Sequence, residues 1–212
     1  MSLRLVTERT ERAIRKYRRH AAGYDATTRR TEPNRRRTIA RLALGPGDTV
    51  LDVGCGTGLS FPILEAAIGL EGRLVGIEQS PDMLALARRR VAQAGWDNVT
   101  LVQCPVEAAE IPFRLDAVLL HFAHDVLRSP GALDNIFRAA RPGARVAAAG
   151  MKYLTWWAAP ANLYILLKAW PYVTTFEGLG RPWSLLQERY VRDLSIEPVF
   201  WGGGFIAHGT YS

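Results

Sequence analysis

The sequence predicts an α/β fold, a doubly wound and mostly parallel sheet of seven strands with helices on both faces and an N-terminal helical cap. Two observations carry this prediction. Between residues 48 and 151, short apolar stretches typical of buried strands alternate with helical stretches, a pattern that favours parallel strands joined by right-handed crossovers. The first of these strands also runs directly into a loop with three glycines, in VLDVGCGTG at residues 50–58.

The first 41 residues are interpreted as the cap. Apolar residues recur at helical spacing over residues 7–20, and Gly23 and Pro33 separate this helix from a second one over residues 35–44. Residues 1–41 carry thirteen Lys or Arg against four acids, so this segment is more basic than the whole chain, whose net charge is +7. Such an arm is consistent with a solvated helix, or with contact to nucleic acid, an anionic membrane surface or an acidic substrate.

Capping residues and prolines mark the elements that follow. Pro62 is expected in the first turn of a helix after the glycine loop, and Ser80–Pro81 is expected to open the next helix as N-cap and first residue. A further helix in GALDNIFRAARPG is predicted to end at Pro142–Gly143. The five core strands are predicted in VLDVG, GRLVGIEQS, NVTLVQCP, LDAVLLHFA and ARVAAAGM.

The last third, residues 152–212, begins with an aromatic, proline-broken segment. A helix near residues 184–194 follows, and IEPVFWGGGFIAHGTYS is interpreted as two strands around a turn at residues 202–204. With 212 residues the chain suits one domain, divided into the cap (1–41), the core (42–151) and this final segment.

Composition excludes several protein classes. The chain is 48% hydrophobic and 22% charged, as in a soluble globular protein, and it contains no apolar run of signal-peptide or membrane-span length. A cytoplasmic location is therefore expected. Cys55 and Cys104 lack metal-ligand spacing and are expected to be reduced thiols.

The glycine loop indicates a ligand. Glycines after a strand let backbone groups approach a bound molecule, and the following helix N-terminus favours an anionic group. Leu59 stands where a dinucleotide-binding loop needs a third small residue, and no Gly-Lys-Ser/Thr of a phosphate-binding loop is present. Glu78 closes the second strand, where a carboxylate is suited to bind the two hydroxyls of a ribose.

VLDVGCGTG together with GIEQSPDML resembles the first two motifs of the class I S-adenosylmethionine-dependent methyltransferases. This similarity covers roughly residues 42–150. The stretches YDATTRR at residues 24–30 and LRSPGALDNIFRAARPGARV at residues 127–146 are similar to small-molecule and lipid methyltransferases of the ubiquinone-biosynthesis type. The resemblance implies a Rossmann-like sheet whose final strand is antiparallel and inserted between its neighbours. It also implies S-adenosylmethionine as cofactor, with the methionine end near Gly54 and Gly56, the ribose on Glu78, and Gln79 and Met83 beside the ribose and adenine. The full set of expected cofactor-binding residues is Tyr24, Asp52, Gly54, Cys55, Gly56, Glu78, Gln79, Met83, Pro105, Val106 and His121.

One departure from the family pattern concerns adenine. The family often has an acid after the third strand that accepts from the adenine amino group, whereas Cys104–Pro105–Val106 occupies that place here. Backbone contacts or Glu107 are the alternatives.

Methyl transfer from a sulfonium depends chiefly on holding the acceptor in line and excluding water. A base is needed only for an acceptor that must lose a proton. The candidates follow the fourth strand: His124 as the base and Asp125 as the carboxylate that orients it. The alternative is that His124 only forms a hydrogen bond to a loop. In similar families a cap tyrosine closes over the methionine carboxylate, which makes Tyr24 a third catalytic candidate, assisted by Arg29 or Arg30. No metal is expected.

The acceptor is expected to be a small, fairly apolar molecule such as a lipid amine, a quinone-like ring or a secondary metabolite. The aromatic residues of the final segment are consistent either with an acceptor pocket or with ordinary core. They are Trp156, Trp157, Trp170, Tyr172, Phe176 and Trp183. There are two alternatives, an RNA or DNA methyltransferase and a non-catalytic regulator that binds the cofactor. The first is disfavoured because the Asn/Asp-Pro-Pro-aromatic signature of base-amino methylation is absent after the fourth strand. The basic arm also suits an anionic membrane surface.

Overall fold

A computed structural model describes Asp25 and residues 31–153 and 178–212. The helices in these ranges are α1 (Glu32–Ala40), α2 (Phe61–Ile68), α3 (Pro81–Ala94), α4 (His124–Leu127), α5 (Pro130–Ala139) and α6 (Ser184–Arg189). The strands are β1 (Thr49–Val53), β2 (Arg73–Ile77), β3 (Val99–Val102), β4 (Leu115–His121), β5 (Ala140–Met151), β6 (Ser195–Val199) and β7 (Gly204–Thr210). Short 3-10 turns cover Val106–Ala108 and Phe200–Gly202.

The seven strands form one sheet in the order β3-β2-β1-β4-β5-β7-β6. Strands β1 to β5 pair in parallel, whereas β7 is antiparallel both to β5 and to β6. The predicted seven-stranded, mostly parallel sheet with an inserted antiparallel strand is confirmed. The edge at which β1 to β5 end is called the carboxyl edge below.

Alternate side chains of the central strands enter two separate cores, one on each face of the sheet. Leu51 of β1 packs in a core with Phe137 of α5 and Leu186 of α6. Val50, its neighbour, belongs to the other core, which includes Phe61 and further residues of helices α1, α2 and α3. This alternation follows from the two-residue period of a strand, and it confirms the prediction of helices on both faces.

Several predicted helix bounds differ from the structure. Helices α1 and α6 end at Ala40 and Arg189, earlier than the predicted ends at residues 44 and 194. Helix α5 ends at Ala139 instead of Pro142–Gly143, because a residue before proline disfavours the helical conformation. Residues 140–144 instead begin β5, where the pairing with β4 shifts register between Leu115 and Ala117. Helix α1 starts at Glu32, since Pro33 is tolerated in a first turn, where its missing N–H is not needed.

The connection between β6 and β7 is a tight turn with unusual backbone geometry. Phe200 and Trp201 both have positive φ angles, 51° and 56°, a conformation that costs energy for bulky side chains. Gly204, the first residue of β7, pairs with Met151 at the end of β5, and the backbone N–H of Lys152 donates to the carbonyl of Gly203 at 3.0 Å. The turn therefore lies at the carboxyl edge.

None of the helices in the described ranges is long and apolar enough to cross a membrane. Several predicted features fall outside the described residues. They are the helix over residues 7–20, Tyr24, Arg29, Arg30 and five of the six aromatic residues named above.

Candidate functional site

The strand order reverses between β1 and β4, which lie side by side at the centre of the sheet. In sheets of this kind a crevice opens beyond the carboxyl ends of the strands at such a switch point. The loops after β1 and β4 border this crevice, and Glu78 follows the adjoining strand β2. The elements therefore bring together the residues expected to bind the cofactor.

The loop after β1 depends on three glycines. Gly54, Gly56 and Gly58 have φ angles of 66°, 58° and 76°, which other residues rarely adopt. A Cβ at Gly54 or Gly56 would meet its nearest neighbour only at 3.8 or 3.9 Å, so backbone conformation explains these two glycines. At Gly58 space is also restricted, because a Cβ would lie 2.7 Å from the ring of Phe61.

Glu78 is the acid at the end of β2, and its carboxylate is held by backbone groups on both sides. One oxygen accepts from the N–H of Gly56 at 3.0 Å and the other from the N–H of Ser80 at 2.7 Å. Burial raises the pKa of Glu78, and these hydrogen bonds oppose that rise. Since a carboxylate has about four acceptor positions, each oxygen can still accept from a ligand hydroxyl.

Asp52 lies at the end of β1 and is buried. Its Oδ2 has no hydrogen-bond partner among the described residues. Burial raises the pKa of Asp52 to about 7, and the guanidinium of Arg35 opposes the rise. Arg35 reaches this place from α1, is itself 5% exposed, and donates to Glu32 at 2.8 Å.

His121 ends β4 on the other side of the switch point. Its Nε2 is buried and has no hydrogen-bond partner within the part of the chain that the structure describes. Burial, with a smaller contribution from Arg35, lowers the pKa of His121 to about 3, so the ring is neutral at ordinary pH. The next residue, Phe122, has a positive φ of 59°, an outlier of the kind that concentrates at functional sites.

The side of the crevice expected to bind adenine contains Met83, which is buried, and Gln79, which is half-buried. After β3, the amide of Asn135 donates to the carbonyls of Val106 and Ala109, at 2.8 Å in both cases. This fixes the Pro105–Val106 segment against α5.

Glu107 is exposed, and one oxygen of its carboxylate is engaged at the start of α5. Its carboxylate accepts from the hydroxyl of Ser129, the N-cap of α5, at 2.7 Å. Of the two alternatives for adenine recognition, this hydrogen bond favours backbone contacts over the Glu107 carboxylate.

Cys55 enters the site only through its backbone. Its thiol is buried in the core with Phe61, and burial raises its pKa. Its N–H donates to the carbonyl of Ile77, and its own carbonyl accepts from Gly58. These bonds shape the glycine loop. Cys104 is half-buried, and burial raises its pKa as well.

Asp25 connects the N-terminal segment to the outside of the glycine loop. Its carboxylate accepts from the hydroxyl of Thr57 at 2.6 Å and from the guanidinium of Arg90 at 2.7 Å. Arg90 also donates to the backbone carbonyl of Thr57 at 3.0 Å. Asp25, Thr57 and Arg90 are called the latch below.

The candidates for proton transfer lie just beyond β4. His124 and Asp125 are the first two residues of α4, and both are half-buried. Tyr24, the third catalytic candidate, is outside the described residues.

Trp183 packs in the core against Phe205, with ring centroids 4.8 Å apart. Of the two alternatives for the aromatic residues, this supports ordinary core for Trp183.

Sequence reasoning missed three residues, Arg35, Thr57 and Arg90. An arginine in a basic helix looks like a solvated residue, and only packing of α1 on the sheet buries Arg35. Arg90 could have been found from the sequence. It lies in the helix that follows the second strand, the strand that ends in Glu78, and this helix packs near the glycine loop.

Residues 50–143 match a family model described as a methyltransferase domain. A demethylmenaquinone methyltransferase from Symbiobacterium thermophilum is 35% identical over 115 residues, which are 52% of this chain and 45% of that protein. The chain thus aligns with a little under half the length of that curated relative.

Two solved structures share the fold at lower identity. A SAM-dependent methyltransferase from Aquifex aeolicus superposes with a TM-score of 0.58 at 22% identity, covering 84% of this chain and 89% of that one. A geranyl diphosphate C-methyltransferase from Streptomyces coelicolor, in complex with S-adenosyl-L-homocysteine, superposes with a TM-score of 0.66 at 14% identity, covering 85% and 76%.

Proposed function

We propose that this chain is a class I S-adenosylmethionine-dependent methyltransferase, which binds S-adenosylmethionine at the carboxyl edge and methylates a small, fairly apolar acceptor; the match of residues 50–143 to a methyltransferase domain supports this. The observation that carries the proposal is the bridge between the two cofactor motifs. The glycine loop donates the N–H of Gly56 to Glu78, which fixes a buried carboxylate beside an open stretch of backbone. Bound there, the cofactor supplies a methyl group activated by a sulfonium.

The residues present fit this cofactor. Two buried polar atoms, Asp52 Oδ2 and His121 Nε2, lack partners among the described residues and lie at the ends of adjacent strands. Buried polar groups are normally paired, so a ligand with complementary groups would satisfy them. The ammonium and carboxylate of a methionine moiety have that complementarity.

For the methionine end, we assign Asp52 as acceptor for the ammonium and Arg35 as the positive charge nearest the carboxylate. Arg35 acts electrostatically on both Asp52 and His121. The neutral ring of His121 adds a donor or acceptor without adding charge. At the ribose, Glu78 accepts from the two hydroxyls, while Gln79 and Met83 flank the ribose and adenine. Backbone groups of Pro105 and Val106 recognise the adenine edge.

For acceptors that carry a proton, we assign His124 as the general base and Asp125 as the group that orients it. Their place after β4 is beside the switch point, and a base of this kind contributes roughly 100- to 10,000-fold when the proton leaves in the rate-limiting step. Tyr24 is proposed to close over the methionine carboxylate, because the latch holds its neighbour Asp25 against the glycine loop.

Quinone-like rings, lipid amines and apolar secondary metabolites are the proposed acceptors. Similarity to a demethylmenaquinone methyltransferase supports the first of these. A structural relative that methylates geranyl diphosphate, whose isoprenoid chain is apolar and whose diphosphate is charged, supports an acceptor with an apolar part.

The first experiment is calorimetric titration of S-adenosylmethionine and S-adenosylhomocysteine into the wild type and Glu78→Ala. The variant loses two hydroxyl contacts to a charged group, so its affinity should fall roughly 10- to 100-fold. Glu71→Ala removes an exposed acid from the turn before β2, at the opposite edge, and serves as the matched control with unchanged affinity.

Binding must then be linked to turnover. Labelled S-adenosylmethionine would be offered with quinols, lipid amines and phenols, and transfer to one of these classes is expected. Wild-type protein that binds neither cofactor form would overturn the proposal. Tight cofactor binding without transfer to any acceptor class would favour a non-catalytic regulator instead.

A further inference from the structure

The turn between β6 and β7 presents aromatic side chains to solvent. Trp201 is fully exposed and Phe200 is 40% exposed, and Leu70 is the other strongly exposed large apolar residue in the described ranges. We propose that Phe200 and Trp201, called the aromatic tip, insert into the headgroup region of an anionic lipid bilayer, from which the acceptor is drawn.

Backbone strain supports a functional role for the tip. Two consecutive bulky residues have positive φ, although glycines follow directly and would adopt this conformation without cost. A Cβ at Gly204 would lie 2.6 Å from the ring of Phe200, so this glycine leaves room for the ring. Strained backbone conformations of this kind are concentrated at functional sites.

The chemistry of the tip fits a membrane interface. Tryptophan prefers the headgroup region, where its ring meets apolar chains and its N–H meets polar groups. Two aromatic residues bury little area by themselves, so stable attachment requires a second attraction, such as a basic surface facing anionic lipid.

Basic residues lie on the helix that pairs with β6, the strand leading into the tip. Residues 31–41 contain four arginines and one acid. Helix α1 lies beside β6, because the guanidinium of Arg41 pairs with Glu197 at 2.6 Å and that of Arg37 pairs with the same carboxylate. The side chains of Arg36 and Arg37 are 65% and 51% exposed and pair with Glu32 and Glu197. Together with Arg41 they set three arginines against two acids, so this surface of α1 and β6 keeps a net positive charge.

The position of the tip connects it to the site. Lys152, which follows β5, donates to Gly203 in the turn, so the tip lies at the carboxyl edge where an acceptor must enter. An enzyme resting on a bilayer through this edge would receive a lipid-dissolved acceptor without releasing it to water. This link to the acceptor rests on the proposed function, whereas binding to the bilayer does not.

The test is co-sedimentation of the full chain with phosphatidylcholine vesicles, with and without 30% phosphatidylglycerol (about one lipid in three, enough to give an anionic surface). Wild type should bind the anionic vesicles at low salt and lose binding as salt is raised. Trp201→Gly should weaken binding roughly tenfold, through loss of the buried ring. Glycine suits the positive φ, so the thermal midpoint of this variant should not fall.

Leu70→Ser is the matched control. Leu70 is 89% exposed but lies in the turn before β2, at the opposite edge of the sheet, so its loss should leave vesicle binding unchanged. Equal binding by wild type and Trp201→Gly, or no wild-type binding at low salt, would overturn the inference. So would a wild-type dimer that Trp201→Gly converts to monomer in light scattering, since the tip would then contact a second copy. Vesicle binding is measured without cofactor and calorimetry without lipid, so either proposal can fail alone.

Discussion

The guanidinium of Arg90 donates to the carboxylate of Asp25 at 2.7 Å, and both groups also hold Thr57 of the glycine loop. One ion pair thereby joins α3, the loop and the N-terminal segment. Since the Asp25 side chain is 48% exposed, the pair itself stabilises the protein only slightly. Its effect is expected on cofactor retention.

Arg90→Gln and Asp25→Asn should each raise the dissociation constant for S-adenosylmethionine roughly two- to tenfold, because each breaks the same ion pair between Arg90 and Asp25. The double variant should be little worse than either single one. Stopped-flow dissociation and calorimetry measure these changes. Arg89→Gln, an exposed neighbour in the same helix, provides the control. Additive effects would show that the two residues act independently.

Asp52→Asn should stabilise the cofactor-free protein in a pH-dependent way. The pKa of Asp52 is raised from 3.8 to about 7, so its favourable protonated form is lost as pH rises through about 7. The gain from asparagine should therefore be small near pH 4, increase towards pH 7, and reach on the order of 2–4 kcal/mol above it. Urea unfolding at several pH values measures it.

The same substitution should weaken cofactor binding, because asparagine cannot pair with an ammonium as a carboxylate does. A variant that is more stable and binds S-adenosylmethionine less well would identify Asp52 as a ligand-binding residue. Greater stability with unchanged affinity would remove Asp52 from the site.

Gly76→Ala should destabilise the protein by about 1–3 kcal/mol through overpacking. Gly76 lies in β2, and an added Cβ would be 2.9 Å from Leu101, 3.0 Å from Cys55 and 3.1 Å from Phe61. Chemical denaturation gives the change in free energy of unfolding. Gly45→Ala is the control, since a Cβ there meets nothing within 4 Å, and its stability should stay the same or rise slightly.

His124→Asn should lower the turnover of an acceptor that loses a proton by roughly 100-fold or more, with cofactor affinity unchanged. Steady-state rates with such an acceptor provide the measurement. His208→Asn, in β7 and paired with Glu197, is the control. Unchanged turnover in His124→Asn would assign His124 a structural role.

The fold and the centre of the site could be predicted because their signals are local. The turn after β1 needs positive φ at residues 54, 56 and 58, which glycine adopts without strain, and an acid at the end of the next parallel strand lies at the same edge. The Ser80 cap also follows from its own few residues: its hydroxyl accepts from the N–H of Met83.

Interactions between distant segments could not be predicted. Arg35 is buried only because α1 packs across the sheet, and the Asp25–Arg90 pair spans 65 positions of the chain. The end of α5 was placed too late because Pro142 acts on the residue before it, and the register shift against β4 then includes residues 140–144 in a strand. Glu107 had a suitable type and place for adenine, but its hydrogen bond to Ser129, 22 positions along the chain, could not be foreseen.

The insertion of β7 between β5 and β6 affects the order in which the sheet can assemble on the ribosome. Strand β6 is synthesised before β7, yet within the described ranges every backbone pairing that joins β6 to the sheet is made to β7. Residues 195–199 must therefore wait, unpaired, until residues 204–210 have left the exit tunnel. During that interval the edge of β5 is open too, which makes this the stage of synthesis most exposed to misassociation between nascent chains.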